Sequence, residues 1–572
     1  MRVTIARTAG FCMGVRRAVD MVLDASNTSD VPIFTYGPLI HNPQVLELLE
    51  SKRIHKLDRI PDKGEGIVLI RAHGVPPEDE EALQAAGFTV INATCPRVTS
   101  VQNIIKKYAA KGCATIIIGD KNHAEVIGLL GYAKGRGYIV STLEELNRLP
   151  AFEQAVVVAQ TTQNTSFFEQ VQDTLARTAP HYKVFNTICG STDRRQSEVR
   201  AIATEHDAVV VVGGRQSGNT KRLAQIAGEN GKPAFHIEDI DELDMNELVD
   251  LESVAITAGA STPNWIIKKA FQRIERTFEQ KRPVLSAFYR VRDFLLLSNL
   301  LLALGAGGLT FACSVLQGFS QRTIHGVVAM LYILSMQIIN NLFAVKSDRY
   351  NNPVRAVFYE KHRTVLWALA VVSGGMGLVL ASTIDLVSFL LLLIMSVLGL
   401  SYNLKVIPWG IGQHRMRRIK DIPGSKTILI AIAWGMVTSL LPACCNGGSI
   451  VPTLVAFTFA TGLVFCRTAF FDIVEIQGDR ITGKETLPIL LGEKRSYALI
   501  KYVLVGIIFI LVVPAAFGII NKTGFFLALL PLFMLYLIRI YKKGDLISGK
   551  HLDFLMELHF IFAGLISIVF NP

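Results

Sequence analysis

The sequence predicts an α/β soluble half of three related units, arranged with pseudo-threefold symmetry, and an all-α membrane half of nine transmembrane helices. Half of the 572 residues are hydrophobic, and long apolar runs begin only after residue 293. Before that point, short β-branched runs alternate with helix-like segments, which is typical of an α/β fold. The separations from Cys12 to Cys95 and from Cys95 to Cys189 are 83 and 94 residues, a nearly regular spacing that suggests three units.

The composition excludes several classes of protein. A positive mean hydropathy argues against a disordered or collagen-like chain. The net charge is +11, but many of the cations flank apolar spans, so we interpret them as topology signals and expect no nucleic-acid partner. Eight cysteines scattered over a large chain do not fit a disulfide framework. Reduced cysteines favour a cytoplasmic location for the first half.

Polar side chains follow five apolar runs of the soluble half, at the point where each run ends. Because ligands bind at the carboxyl ends of the strands in α/β sheets, these groups predict one convergent polar pocket. The runs are residues 67–71, 115–119, 155–159, 208–212 and 254–256. The polar residues that follow them are His73, His123 with Glu125, Thr161 with Thr162, Ser217 with Asn219, and Ser261 with Thr262.

Three cysteines occupy the same kind of position, since Cys12, Cys95 and Cys189 each follow a predicted strand. The sequence therefore predicts three thiols at a common centre. Zinc is one possible occupant, although structural zinc usually takes four ligands at close spacing. An iron–sulfur cluster is another, and three thiolates on a four-iron cluster would leave one iron free for a substrate. Cysteines that pack as small hydrophobic residues are a third possibility.

Nine segments of the soluble half resemble, in order, those of the 4-hydroxy-3-methylbut-2-enyl diphosphate reductase family. They are residues 10–18 (GFCMGVRRA), 37–42 (GPLIHN), 72–75 (AHGV), 93–96 (ATCP), 123–128 (HAEVIG), 160–162 (QTT), 187–189 (TIC), 213–220 (GGRQSGNT) and 257–261 (TAGAS). The resemblance covers about residues 1–275. It implies a [4Fe–4S] cluster on Cys12, Cys95 and Cys189. It also implies reductive dehydroxylation to isopentenyl and dimethylallyl diphosphates, with electrons from a ferredoxin- or flavodoxin-like protein.

The resemblance also suggests roles for the polar residues. Glu125 is expected to supply protons, and Thr161, rather than Thr162, to position the departing hydroxyl. The residues expected to hold the substrate's diphosphate are His41, His73, His123, Ser217, Gly218, Asn219 and Ser261. This chain has Gly218 where the family usually has a second serine, so we expect somewhat weaker diphosphate binding there.

Nine apolar segments of the second half approach the roughly 20 residues needed to cross a bilayer. They are residues 293–316, 325–343, 364–383, 385–404, 427–444, 450–470, 498–519, 523–540 and 552–570. Basic connections alternate with short, nearly neutral ones. By the positive-inside rule, this alternation predicts an inner (cytoplasmic) membrane protein whose soluble half lies in the cytoplasm and whose C-terminus lies outside.

Two acidic regions follow the second and sixth spans and resemble motifs of the UbiA-type intramembrane prenyltransferases. They are residues 340–349 (NNLFAVKSDR) and 472–480 (DIVEIQGDR); residues 478–488 and 417–423 are also typical of that family. The spacing predicts that Asp472, Glu475 and Asp479 share one helix face. The candidate Mg²⁺ ligands are Asn340, Asp348, Asp472, Glu475 and Asp479. Ala344 departs from the family, which has an aspartate there.

We therefore expect three segments: residues 1–280, an iron–sulfur reductase domain; residues 281–292, a linker; and residues 293–572, a prenyltransferase-like membrane domain in contact with lipids. Transfer of a prenyl group from a prenyl diphosphate is the expected activity of the membrane half. A non-catalytic anchor is the alternative for that half. For the whole chain, the alternatives are a membrane-tethered iron–sulfur redox sensor or a three-cysteine enzyme resembling quinolinate synthase.

Overall fold

The computed structural model describes residues 2–229, 231–279, 283–319, 323–401, 405–409, 415–418, 424–543 and 549–570. The chain divides into two compact units, Met1–Lys281 and Arg282–Pro572. We call them the soluble unit and the membrane unit. The segment predicted as a linker, residues 281–292, consists of two residues outside the described ranges and the first ten residues of a helix that begins at Pro283.

Strands and helices alternate along the soluble unit. The strands are β1 (Arg2–Ile5), β2 (Ile33–Tyr36), β3 (Ile54–Leu57), β4 (Ile67–Ile70), β5 (Thr89–Asn92), β6 (Ala114–Ile118), β7 (Gly137–Val140), β8 (Ala155–Ala159), β9 (Lys183–Phe185), β10 (Ala208–Val212), β11 (Ala234–Ile237) and β12 (Ser253–Ala258). The helices are α1 (Met13–Thr28), α2 (Pro43–Ser51), α3 (Pro77–Ala85), α4 (Pro96–Ala109), α5 (Ala124–Leu130), α6 (Leu143–Asn147), α7 (Thr165–Thr178), α8 (Gly190–Glu205), α9 (Gly218–Gly228) and α10 (Asn264–Glu279). The predicted α/β class is confirmed.

Three parallel four-stranded sheets share one topology. Their strand orders are β5-β4-β2-β3, β9-β8-β6-β7 and β1-β12-β10-β11. The first two sheets are built from consecutive strands. In the third, the first strand of the chain pairs with β12, with Val3 opposite Val254, and takes the place that β5 and β9 hold in the other sheets. Each sheet therefore has an equivalent edge strand, and each of the three cysteines follows one of these strands.

The central strands of the sheets are almost entirely apolar because helices cover both faces. Every residue of β6, β8 and β10 is buried, and all three strands consist mainly of valine, isoleucine and alanine. The outer strands differ, since His55 and Lys56 of β3 are exposed. Buried parallel strands need no alternation of polar and apolar residues, which explains the unbroken runs in the sequence.

The membrane unit is predominantly helical. Its helices are α11 (Pro283–Leu297), α12 (Leu300–Leu316), α13 (Thr323–Asn351), α14 (Pro353–Lys361), α15 (Arg363–Ile384), α16 (Leu386–Ser401), α17 (Ser425–Gly435), α18 (Leu441–Asn446), α19 (Ile450–Val474), α20 (Ile476–Ile481), α21 (Leu487–Leu491), α22 (Glu493–Ala516), α23 (Thr523–Leu527), α24 (Leu529–Lys543) and α25 (Lys550–Val569). A π-helical turn, Met436–Leu440, joins α17 to α18. One short antiparallel strand pair, Lys405–Trp409 with Arg415–Arg418, also lies in this unit.

The predicted count of nine spans is larger than the structure supports. Within the described ranges, seven helical segments are long and apolar enough to cross a membrane, or eight if one bent pair is counted as a span. That pair replaces the predicted first span: it bends by 71° between Leu297 and Leu300, where Asn299 has a left-handed φ of 59°. The predicted fourth span is the shorter helix α16, and residues 402–404 after it lie outside the described residues.

Close helix packing forms the core of the membrane unit. A Cβ built on Gly564 of α25 would lie 2.7 Å from the Cα of Gly308 on α12, so these two helices approach more closely than larger residues would allow. The rings of Trp434 and Phe560 stack nearby, with centroids 5.1 Å apart. Small residues at the contact and apolar side chains on the outer surface are what a helix bundle in lipid requires.

Candidate functional site

The three cysteines occupy equivalent positions around one cavity. Cys12, Cys95 and Cys189 are the N-cap residues of α1, α4 and α8. Each backbone N–H donates to a carbonyl at the end of the neighbouring strand, namely to Ala260 O (3.1 Å), Ala72 O (3.0 Å) and Thr161 O (2.9 Å) respectively. Three repeats of one hydrogen bond thus aim three thiols at a common centre.

Tight packing holds the cysteines at this centre. A Cβ built on Gly14 would lie 2.4 Å from Cys95 Sγ, so residue 14 cannot carry a side chain without moving that thiol. The Val15 N–H donates to Cys12 Sγ at 3.4 Å, which helps to orient the first thiol. All three cysteines line a cavity that opens to solvent; its empty space, with the open solvent at its mouth included, is about 700 Å³.

The donor set suits an iron–sulfur cluster better than a single ion. Each thiol sits at a helix N-terminus, a position that favours the thiolate. Among the described residues, the ligand atoms of His41, His73 and His123 all lie within 4.8 Å of one another. The three thiols do not form so close a group. Such spacing allows each thiolate to reach a different iron.

Three histidines converge on the other side of the same cavity. The ring centroids of His41 and His73 lie 4.6 Å apart, those of His41 and His123 5.7 Å, and those of His73 and His123 5.4 Å. Burial lowers the pKa of all three, to about 4 for His123. His123 Nδ1 accepts from the Glu125 N–H at 3.2 Å, so its Nε2 carries the hydrogen when the ring is neutral.

Glu125 is a buried carboxyl with two short contacts to one residue. Its Oε1 accepts from the Thr161 N–H at 2.6 Å, and its Oε2 accepts from Thr161 Oγ1 at 2.8 Å. Burial is the main cause that raises the pKa of Glu125 to about 7, while the hydrogen bonds from Thr161 lower it. A carboxyl group that exchanges its proton near neutral pH is suited to general acid catalysis. Thr162, in contrast, accepts from Gln160 Nε2 at 2.8 Å.

The remaining predicted polar residues lie at the N-terminus of α9 and beside it. Ser217 caps α9, and Ser261 Oγ lies 3.3 Å from Ser217 Oγ and donates to His41 O at 3.2 Å. Neither polar atom of the Asn219 side chain has a hydrogen-bond partner, although that residue is only 3 % exposed. Buried polar atoms without partners are costly, so their presence in a cavity points to a polar ligand. A helix N-terminus favours an anionic one.

Replacing Asn219 with alanine is expected to weaken substrate binding about tenfold, because one charge-assisted hydrogen bond is lost. The melting temperature should not fall, since the side chain has no protein partner to lose. Binding is measured by anaerobic titration with the hydroxylated diphosphate that the resembled family takes as substrate. The control is Asn164→Ala: Asn164 caps α7 through a 3.2 Å hydrogen bond, so this variant should melt lower and bind normally. The opposite pattern would contradict the assignment.

Sequence reasoning missed Arg195 and Glu198 of α8, which fix the turn before Cys12. Arg195 donates to the carbonyls of Thr8 (2.5 Å) and Gly10 (2.6 Å). Glu198 accepts from the Arg7 and Thr8 N–H groups at 2.7 and 2.9 Å. Since Cys189 is the N-cap of α8, these contacts connect the segments that carry Cys12 and Cys189. Their large sequence separation left no local signal.

The acidic residues of the membrane unit are paired with cations of the chain. Asp348 accepts twice from Arg355, at 2.8 Å each, and Glu475 Oε1 lies 3.6 Å from the same guanidinium. Asp472 lies 3.4 Å from Lys426 Nζ and accepts from Thr427 Oγ1 at 2.5 Å. Arg355 was not predicted from the sequence.

Other predicted ligands of the membrane unit are placed differently from expectation. Asp479 accepts from Asn351 at 2.9 Å, and its Oδ1 lies 3.4 Å from Lys484 Nζ. The sequence predicts that Asp472, Glu475 and Asp479 share one helix face, but in the structure they lie on two helices: α19 ends at Val474 and α20 begins at Ile476, with Glu475 between them. Asn340 is partly buried on α13, eight residues before Asp348.

Comparisons with known proteins agree with both sets of motifs. A family model described as LytB protein matches residues 3–275, and one described as the UbiA prenyltransferase family matches residues 301–560. The 4-hydroxy-3-methylbut-2-enyl diphosphate reductase of Aquifex aeolicus is 42 % identical over 285 residues, which cover 48 % of this chain and 97 % of that protein. The protein of that name from Geobacter sulfurreducens is 39 % identical over 282 residues, covering 49 % and 99 %.

Solved structures resemble each unit. The Plasmodium falciparum E-1-hydroxy-2-methyl-but-2-enyl-4-diphosphate reductase is 29 % identical, with a TM-score of 0.45, and covers 47 % of this chain and 86 % of that one. A UbiA homolog from Archaeoglobus fulgidus bound to GPP and Mg²⁺ is 16 % identical, with a TM-score of 0.36, and covers 48 % and 99 %. The matched family and the apolar helices make the second unit an integral membrane domain. From its first unit, the chain belongs to the 4-hydroxy-3-methylbut-2-enyl diphosphate reductase family.

Proposed function

We propose that the soluble unit reduces 4-hydroxy-3-methylbut-2-enyl diphosphate to isopentenyl and dimethylallyl diphosphates, with the substrate bound in the cavity between the cysteines and the histidines. This proposal depends mainly on one observation: three N-cap cysteines and a buried carboxyl, whose pKa is raised to about 7, line the same cavity. The relatives with this name match the soluble unit over nearly their full length.

The diphosphate binds on the histidine side of the cavity. His41, His73 and His123 are neutral in the free protein because burial lowers their pKa. A diphosphate raises the pKa of a nearby imidazole, so binding favours proton uptake by the histidines. Ser217, Asn219 and Ser261 add hydroxyl and amide donors, and the free N–H groups at the start of α9 add a favourable dipole.

Glu125 acts at the substrate's hydroxyl end. The reaction breaks one carbon–oxygen bond, releases water, and consumes two electrons and two protons. A [4Fe–4S] cluster on Cys12, Cys95 and Cys189 would supply the electrons and a Lewis-acidic iron for the hydroxyl. Glu125 gives the proton that lets the hydroxyl leave as water and, after reprotonation, a proton for the allylic carbon. Thr161, which donates to Glu125, keeps that carboxyl in place.

An anaerobic assay with a chemical reductant tests this function. We expect substrate-dependent oxidation of the reductant and formation of both five-carbon diphosphates. A redox sensor would keep the cluster but show no turnover, and a quinolinate-synthase-like enzyme would show no spectral response to the hydroxylated diphosphate. We propose a ferredoxin- or flavodoxin-like protein as the electron donor in the cell, and a cytoplasmic location for this unit, which the positive-inside pattern of the sequence supports.

Gly218→Ser is expected to lower the KM for the substrate up to about tenfold, because it adds a hydroxyl beside the diphosphate. A Cβ at residue 218 would lie 3.4 Å from His123 Nε2 and Gln160 Nε2, which is at the limit of ordinary contact. Gly218→Ala adds the Cβ without the hydroxyl and is the control. Equal KM values for the two variants would show that the missing hydroxyl does not weaken binding here.

For the membrane unit, we propose binding and transfer of a prenyl diphosphate with Mg²⁺ at the second acidic motif. Asp479 Oδ2 has no partner although Asp479 is fully buried, and the lysine contacts of Asp472 and Asp479 are long, at 3.4 Å each. These oxygens can therefore accept a hard cation. The alternative, a non-catalytic anchor, is favoured by Ala344, which offers no ligand oxygen.

Asp472→Ala separates the two possibilities for the membrane unit. We expect this variant to lose Mg²⁺-dependent prenyl transfer, measured with geranyl diphosphate and a membrane lipid extract as acceptor source, while the reductase activity stays unchanged. Prenyl transfer that survives the change would refute the metal role of Asp472. No transfer by the unmodified chain would favour the anchor.

A further inference from the structure

Arg355 of α14 lies between the two acidic motifs of the membrane unit. Its Nε and Nη2 donate to the two oxygens of Asp348, at 2.8 Å each, in a fork that matches a carboxylate. Its Nη2 also lies 3.6 Å from Glu475 Oε1. Asp348 is 3 % exposed, so its charge needs a close partner. One guanidinium thus pairs with a carboxylate from each motif.

Further carboxylates surround the same guanidinium. Asp553 and Glu557, both on α25, lie within electrostatic range of Arg355. Glu557 also pairs with Arg467 of α19. Four carboxylates from three parts of the chain therefore interact electrostatically with one arginine. Carboxylates are expected to group in this way around a bound cation.

A metal ion does not fit the first motif as this chain builds it. Ala344 has no oxygen where the resembled family has an aspartate, and both oxygens of Asp348 are already engaged by Arg355. Mg²⁺ requires several oxygens in near-octahedral geometry, and a fixed positive charge at this position repels it. The second motif differs, because its lysine contacts are long and Asp479 Oδ2 is unpartnered.

We propose that Arg355 takes the place of a metal ion at the first motif, so that the membrane unit binds a prenyl diphosphate with a single divalent ion, held at Asp472 and Asp479. This inference rests on the proposed prenyl diphosphate binding. A guanidinium is always charged and its fork matches a carboxylate, so it can counter the negative charge of the first motif without a metal. Lysine would keep the charge but lose the fork.

The test counts Mn²⁺ bound to the full-length, cluster-loaded protein in detergent by equilibrium dialysis, with and without geranyl diphosphate. The double variant Asp348→Asn/Asp479→Asn supplies the background, because it removes one carboxylate from each motif and retains the other sites, including the histidine trio of the soluble unit. We expect one Mn²⁺ per chain above that background. A difference of two, or of zero, overturns the proposal.

Variants of Arg355 test the substitution itself. Arg355→Ala should gain a second Mn²⁺ with geranyl diphosphate present, whereas Arg355→Lys should keep one. Arg349 is the matched control, because it is an exposed arginine paired with Glu360 at 2.7 Å; Arg349→Ala should keep one. A count of one in Arg355→Ala overturns the proposal. If Arg355→Ala does not fold, the wild-type count still decides.

Retention of labelled geranyl diphosphate separates the inference from the proposed function. Failure to retain it, together with one bound Mn²⁺, would refute prenyl diphosphate binding while leaving Arg355 as the fixed cation of the first motif. Retention with two bound Mn²⁺ would support prenyl binding and refute the role of Arg355.

Discussion

Replacing Cys189 with serine is expected to abolish both the cluster and the reductase activity. The three thiolates come from equivalent N-cap positions, and each cysteine follows the edge strand of a different sheet. Serine is close to cysteine in size but is a poor ligand for iron in a cluster, which favours soft thiolates. We expect loss of the broad visible absorption, an iron content well below four per chain, and no measurable product.

The control for this experiment is Cys113→Ser. Cys113 is 5 % exposed and its Sγ lies 3.5 Å from Gln154 Oε1, outside the residues that line the cavity. This variant should retain the iron content and turnover of the unmodified protein. If Cys189→Ser keeps four irons, or if Cys113→Ser loses the cluster, the assignment of the three cysteines is wrong.

Glu125→Gln is expected to lower kcat by about 10²–10⁴-fold, which is the usual contribution of a general acid. Glutamine fills the same space and can hydrogen-bond to Thr161, but it cannot donate a proton. Substrate binding and iron content should stay the same. A redox sensor would show no turnover in any variant, so an unchanged turnover in Glu125→Gln would contradict only the proton-donor role of Glu125.

The pH dependence of kcat/KM provides a second test of Glu125. Burial raises the pKa of Glu125 to about 7, so the carboxyl is protonated below that pH and loses its proton above it. Because the donor must carry its proton, kcat/KM should fall as the pH rises through about 7. In Glu125→Gln, the residual kcat/KM should no longer fall as the pH rises through about 7. Glu144→Gln, on the exposed surface of α6, should show the normal profile.

Much of the soluble site could be predicted from the sequence because its chemistry lies at strand ends. An unbroken apolar run such as Ala155–Ala159 marks a buried parallel strand, and the residues after it must lie at the carboxyl edge of the sheet. The nearly even spacing of the cysteines reflects the repeated topology. Local patterns could not show that β1 completes a sheet with β12, because that pairing joins the two ends of the soluble unit.

The membrane unit was harder to predict, because a hydropathy pattern shows how long an apolar segment is but not whether its helix bends. The run from residue 293 to 316 is mostly apolar, and the adjacent polar residues Ser298 and Asn299 within it do not by themselves predict the 71° bend. Basic residues near spans are interpreted as topology signals, and Arg355 was among them. Its role as the partner of Asp348 and Glu475 depends on the folding of α14 against the acidic motifs, which only the structure shows.

The most direct test of the central claim is a Mössbauer spectrum of the full-length protein, labelled with ⁵⁷Fe and prepared anaerobically, with and without 4-hydroxy-3-methylbut-2-enyl diphosphate. Three cysteines around one cavity predict a four-iron cluster in which one iron lacks a protein thiolate. The account predicts that the signal of one iron in four changes when the substrate is added. A spectrum without cluster iron, or one in which no iron responds to the substrate, would contradict it.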